Sequence, residues 1–214
     1  ICNFLDLLST DTLLDLGSGT GYISNEIVSR CDFQEKPICV EPSKEMHSEA
    51  LTYGTLTCIN QSAEEFVDAS TAGVANKALL KEVVHHIDGL ATFFSNLNKI
   101  TGIEKVLIVT RPPIPGFPLF RDAIEIFKSG QPDVFEIKKE LESSGYRARI
   151  SNISYPVEMT MRQWIELIRQ RFISDLSGFS DSEIEAGIEE IKERHTGNRI
   201  NFNDNLIFIQ ADAR

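Results

Sequence analysis

No Cys-x-x-Cys pair occurs among the four cysteines Cys2, Cys31, Cys39 and Cys58. Without that spacing the chain has neither a zinc ribbon nor a dithiol redox motif, and no metal site is expected. Thiols this scattered read as free cysteines in a reducing, cytoplasmic compartment. Basic residues are scarce as well: 21 Lys and Arg stand against 32 Asp and Glu, for a net charge of −11. The cations do not cluster along the chain, which argues against the dense basic face that a nucleic-acid backbone requires. A run of about 18 apolar residues is also missing, so no transmembrane helix and no membrane partner are expected. There is no internal repeat, low-complexity tract or signal-peptide pattern. The chain opens at Ile1, a few residues ahead of a strand, and is expected to be a fragment or processed segment shortened at its N-terminus.

What is present suits a single domain of 214 residues, with 42% hydrophobic and 25% charged residues. Short apolar runs predict strands at Thr12–Leu16, Pro37–Val40, Thr55–Ile59, Asn76–Val84 and Lys105–Thr110. A helical turn is expected at Asn3–Leu8. Helices are expected at Gly21–Arg30, from Ser43 through Ala50, after the Ser62/Glu65 capping pair, and at Gly89–Ile100. Strands alternating with helices predict a parallel, doubly wound sheet with right-handed crossovers. The second half opens on "RPPIPGFP", Arg111 to Pro118, which holds half of the eight prolines and cannot join a sheet. Beyond it come a helix bearing Phe120, Ala123, Ile124 and Phe127, another at Val134–Ser143, and a strand near Arg147–Pro156. Two capped helices follow, at Thr160/Gln163 and Ser180/Glu183, before a last strand near Asn205–Ala211.

The stretch "DLGSGTGYIS", Asp15 to Ser24, sits between the first strand and the first long helix. A strand, a glycine-rich turn and a helix together form a seat for a ligand over a helix N-terminus. A phosphate loop would need Lys-Ser/Thr after the last glycine, but Tyr22 and Ile23 stand there. The dinucleotide fingerprint GxGxxG would need glycine at Tyr22, which disfavours a nucleotide-dependent oxidoreductase. What stands is D-x-G-x-G-x-G, made by Asp15, Gly17, Gly19 and Gly21. Glu41 follows about 20 residues after Gly21, at the end of the second strand.

This pattern resembles motif I of the class I S-adenosylmethionine-dependent methyltransferases, in their small-molecule, type 11/25-like branch. "NQSAEEF", Asn60 to Phe66, resembles that family's adenine-contacting segment. "NKALLKEVVHH", Asn76 to His86, aligns without a gap on its fourth strand and His pair. The resemblance runs from Leu13 to Thr110. It implies a Rossmann-like, seven-stranded sheet, mostly parallel with the last strand antiparallel, plus inserted helices at 157–198 expected to cover the substrate. S-adenosyl-L-methionine is the implied cofactor, held by Asp15, Gly17, Ser18, Gly19, Gly21, Glu41, Pro42, Ser62, Ala63, Glu64 and Lys81. In that set Glu41 accepts both ribose hydroxyls, Asp15 attracts the ammonium group, and Gly17 and Gly19 offer bare backbone to the methionine portion. Three positions depart from the family: Ser62 and Asn76 stand where aspartate is usual, and "TGIEK" replaces a Pro-Gly-Gly turn.

The implied activity is methyl transfer to a small-molecule acceptor. The alternative is a non-catalytic S-adenosylmethionine-binding protein or partner subunit. His85 and His86 are the candidate general bases, since imidazole titrates near neutral pH. Lys81 stands where the family more often has a small residue. With Arg111 it suits an anionic acceptor, against the plainer reading of salt bridges to Glu82 or Asp122. Trp164 and Phe172, in the stripe Met161, Trp164, Ile165, Ile168 and Phe172, are candidates to line the acceptor pocket, although stripes at this spacing usually form core.

Overall fold

Four of the expected apolar runs lie side by side at the centre of one sheet, because each is too short for a helix and is closed by turn residues. The computed structural model describes residues 1–69, 73–100 and 102–214. Thr101 of the "TGIEK" turn lies outside them. The chain divides into two compact units. The first comprises Ile1–Thr110, Pro132–Ser151 and Phe208–Arg214; the second comprises Arg111–Gln131 and Asn152–Ile207.

In chain order the elements are α1 (Cys2–Leu5), β1 (Leu13–Leu16), α2 (Tyr22–Cys31), β2 (Ile38–Val40), α3 (Lys44–Ala50), β3 (Thr57–Ile59), α4 (Ala63–Ala69), β4 (Lys77–Lys81), α5 (Leu90–Lys99) and β5 (Lys105–Thr110). There follow α6 (Arg121–Gly130), α7 (Val134–Ser143), β6 (Tyr146–Thr160), α8 (Met161–Arg169), α9 (Asp181–Arg194) and β7 (Arg199–Ala213). Among the described residues the strands form one seven-stranded sheet in the order β3-β2-β1-β4-β5-β7-β6. The β1–β2, β1–β4, β2–β3 and β4–β5 pairs are parallel, and β7 runs antiparallel to β6. The chain steps outward from β1 to β3 on one side and from β4 to β5 on the other. The strand order therefore reverses between β1 and β4, the place where open α/β sheets leave a crevice for ligands.

Local chemistry accounts for most boundaries. Ser43 starts α3 by accepting the Met46 N–H on its side chain. Complete capping boxes open α8 at Thr160/Gln163 and α9 at Ser180/Glu183. The same reciprocal bonds join Ser62 and Glu65 ahead of α4. One expected strand is cut short. β4 ends at Lys81 rather than Val84, because Glu82 takes a left-handed backbone (φ 55°) and the chain turns into a 3-10 segment over Val84–His86. In contrast, β6 and β7 run for 15 residues each, well past the expected Arg147–Pro156 and Asn205–Ala211.

The unusual Asn76 has a structural partner. Its side-chain amide donates to Asp11 Oδ1 at 2.6 Å, while its Oδ1 accepts the Thr12 N–H at 2.9 Å. Asp11 is buried, so an aspartate at position 76 would set two carboxylates face to face and remove a donor.

The second unit has its own core, built by Phe117, Leu119, Phe120 and Phe127 of the proline-rich segment and α6 with Trp164, Ile165 and Ile168 of α8 and Ile184 and Ile188 of α9. Gly187 of α9 is obligatory there: a Cβ would come within 2.3 Å of the Phe120 ring. Among the described residues, no helix is long and apolar enough to cross a membrane.

Candidate active site

β1 is buried along its whole length and delivers Asp15 to the interior beneath the glycine turn. The Ser24 hydroxyl, one turn into α2, donates to Asp15 Oδ2 at 2.6 Å. Burial nevertheless dominates and pushes this carboxyl up from its ordinary 3.8 to about 6, against the Ser24 hydrogen bond and the Lys81 charge. Cys39 of β2, paired in register with Asp15, is pushed up to about 12 by burial, so its thiol stays protonated and is no nucleophile at neutral pH.

The turn itself is tied to β2, since the Gly17 and Ser18 N–H groups donate to the Val40 carbonyl at 2.9 and 3.1 Å. Gly17, Gly19 and Gly21 all adopt positive φ, which a side chain disfavours. Their surroundings separate them. A Cβ on Gly17 would fall 2.3 Å from Val83 Cγ2, and one on Gly21 would fall 2.8 Å from Leu56 Cδ1. At Gly19 only Met46 Sδ comes near, at 3.9 Å. The space beside Gly17 is thus filled by the protein's own valine, while the space beside Gly19 is open.

Glu41, one residue past β2, faces that open space with both oxygens anchored. Oε2 accepts the Gly19 N–H at 2.9 Å, and Oε1 accepts the Ser43 N–H at 2.9 Å. Only 7% of the residue is exposed, yet each oxygen keeps lone pairs for further donors. Asn60, just beyond β3, secures this corner by donating to the Glu41 and Pro42 carbonyls at 2.8 and 2.9 Å. Sequence reasoning assigned no role to Ser24 or Val83, and placed Asn60 only within the segment likened to the adenine contact. The only available signal was their position just after a strand or in the first turn of α2.

Ala63 is buried and Ser62 and Glu64 are half-buried at the start of α4, with the Ser62 hydroxyl occupied in accepting the Glu65 N–H. Lys81 closes β4. His85 and His86 lie beyond it in the 3-10 segment rather than on the strand, with ring centroids 4.0 Å apart. Asp15, Gly17, Ser18, Gly19, Gly21, Glu41, Pro42, Ser62, Ala63, Glu64, Lys81, His85 and His86 are therefore gathered by the first unit at or beyond the carboxyl ends of β1 to β4.

The other three candidates belong to the second unit. Arg111 forms a two-pronged pair with Asp204, Nε to Oδ1 at 3.2 Å and Nη2 to Oδ2 at 2.9 Å, and stands 5.5 Å from the Phe117 ring centroid. Within the second unit its carboxylate partner is Asp204. Trp164 is 2% exposed, donates its indole N–H to the Pro118 carbonyl at 3.0 Å, and packs against Phe117, Phe172 and Phe202. Phe172 lies against the same core.

The strand order, mostly parallel with one antiparallel pair, is a Rossmann-like fold that solved methyltransferase structures share. Particular solved structures share it. Phosphoethanolamine N-methyltransferase 2 of Haemonchus contortus, in complex with phosphomonomethylethanolamine and S-adenosylhomocysteine, matches 99% of the chain at 18% identity with a TM-score of 0.63. The chain spans about half the length of that protein, 51%. A protein of an antibiotic biosynthesis pathway from Anabaena variabilis matches at 16% identity and a TM-score of 0.71, covering 97% of this chain and 93% of that one. The cyclopropane synthase MmaA2 of Mycobacterium tuberculosis matches at 16% identity and 0.63, covering 98% and 81%. No family model matches the chain, and neither does any curated protein sequence.

Proposed function

We propose that this chain binds S-adenosylmethionine at the carboxyl edge of the first unit's sheet and transfers its methyl group to a small-molecule acceptor. The observation that carries this reading is Glu41, a nearly buried carboxylate fixed by the Gly19 and Ser43 N–H groups beside the open face of Gly19. A carboxylate so fixed suits a ribose diol, which offers two hydroxyl donors to one acid. The H. contortus structure, which contains S-adenosylhomocysteine, supports the choice of ligand.

When bound, the sulfonium supplies an already activated methyl group and leaves as a thioether. The protein's task is then alignment and exclusion of water, for which proximity alone is worth up to about 7–11 kcal/mol. In this reading Glu41 holds the ribose and Asp15 attracts the ammonium group. Gly19 admits the chain of the ligand against bare backbone. His85 or His86 takes the proton that a hydroxyl or amine acceptor releases.

Titration calorimetry with S-adenosylhomocysteine, followed by transfer assays with methyl-labelled cofactor across panels of small acceptors, tests the reading. Glu41→Ala is expected to weaken S-adenosylhomocysteine binding by about 1–3 kcal/mol, because ribose hydroxyls lose a charged acceptor. NAD is expected not to bind. Undiminished affinity in Glu41→Ala would remove the central support, and binding without transfer to any acceptor would point to a binding subunit instead.

A further inference from the structure

The half-buried or buried cations at the ends of β4 and β5 are mostly matched with acids. Lys77 at the start of β4 meets Glu104 at 2.9 Å, and Lys105 at the start of β5 meets Asp6 and Asp212. Arg111, one residue beyond β5, meets Asp204. Lys81 differs. It is half-buried at the carboxyl end of β4, yet no carboxylate lies within ion-pair distance of it among the described residues. In a chain of net charge −11, acids are not in short supply.

The register fixes where this ammonium stands. Asp15 of β1 pairs with Leu79 of β4, and Lys81 follows Leu79 by two residues on the same face. Lys81 is therefore one pleat beyond Asp15, alongside the glycine turn, at the point where the strand order reverses. Asp15 feels its charge but forms no ion pair with it. A partly desolvated ammonium without a fixed counter-ion is costly to keep, and an incoming anion would remove the cost.

We propose that Lys81 is the anchor for an anionic group, a phosphate or carboxylate, carried by the acceptor that receives the methyl group. The inference rests on the methyl-transfer reading and deepens it. An unneutralised ammonium beside a sulfonium opposes cofactor binding, and an anion delivered with the acceptor cancels that repulsion. Lys81 also stands four residues before His85, so one short segment would grip the acceptor's charged end and present a base to its nucleophile. This moves Lys81 from the cofactor set, where the family resemblance puts it, to the acceptor.

The test titrates inorganic phosphate, and separately acetate, into the full chain saturated with S-adenosylhomocysteine, in wild type, Lys81→Met and Lys81→Arg. Expected is phosphate or acetate binding to wild type that weakens by about tenfold or more in Lys81→Met and is largely kept in Lys81→Arg, as loss of a charge-assisted bond requires. The preferred probe tells phosphate from carboxylate. Affinity for S-adenosylhomocysteine should stay nearly constant across the three proteins. Equal anion binding in wild type and Lys81→Met, or none in wild type, overturns the proposal. So does a loss of S-adenosylhomocysteine affinity in Lys81→Met with unchanged binding of 5′-methylthioadenosine, which lacks the amino-acid portion; that result would put the cofactor's own carboxylate on Lys81. If S-adenosylhomocysteine fails to bind wild type, the methyl-transfer reading falls, and the anion titration on the ligand-free protein still decides the role of Lys81.

Discussion

Asp15 carries an energetic conflict that its neighbours only partly relieve. Burial raises its folded-state value from 3.8 to about 6, so the native protein holds this proton more tightly than the unfolded chain does. Its contribution to stability is complete below about pH 3.8 and lost as pH rises through about 6. A shift of that size corresponds to about 3 kcal/mol. Asp15→Asn keeps an oxygen to accept from Ser24 but does not titrate. Denaturant melts between pH 4 and pH 7 should therefore show wild type losing ground to the variant as pH rises. Parallel curves would mean that the carboxyl is solvated enough to ionise freely.

Among the elements, the glycine turn joins two functions that substitution can separate. Gly17→Ala drives a methyl group into Val83 at a left-handed backbone position, and is expected to cost about 1–3 kcal/mol of stability. Adding Val83→Ala should recover part of that loss, because the clash is with this side chain. Gly19→Ala meets no clash, so it should cost less stability while weakening S-adenosylhomocysteine binding more. Chemical denaturation and calorimetry on the same set of variants check both halves. The turn was legible in the sequence because D-x-G-x-G-x-G after an apolar strand is a local pattern, and so were β5, α7 and the capping boxes, each set by adjacent residues. What could not be read depends on partners distant in sequence. Val83 fills the space at Gly17, the Gly19 N–H pins Glu41, and Asn60 reaches back to Glu41 just past β2. β4 stops early because Glu82 turns left-handed, a choice invisible in an apolar run that continues through Val84. The full length of β6 and β7 was hidden for a related reason, since Pro156 and the polar residues around Asn203 interrupt any period-2 pattern, and pairing between the strands overrides it.

At the scale of the whole molecule, the proposed ligand-binding residues Asp15 to His86 belong to one compact unit and the large aromatic core belongs to the other. Trp164 is the only tryptophan of the chain, and its indole is held by the Pro118 carbonyl among three phenylalanine rings. That makes it a built-in optical gauge. Its emission reports the opening of the second unit alone, whereas far-ultraviolet circular dichroism sums the helices and strands of both. Because ligand binding stabilises the part that binds, S-adenosylhomocysteine should raise the dichroism midpoint more than the midpoint of tryptophan emission. Equal shifts in the two signals would show instead that both units unfold in one cooperative step. Either way, a single unlabelled chain in a fluorimeter reveals how far the stabilisation given by the ligand travels.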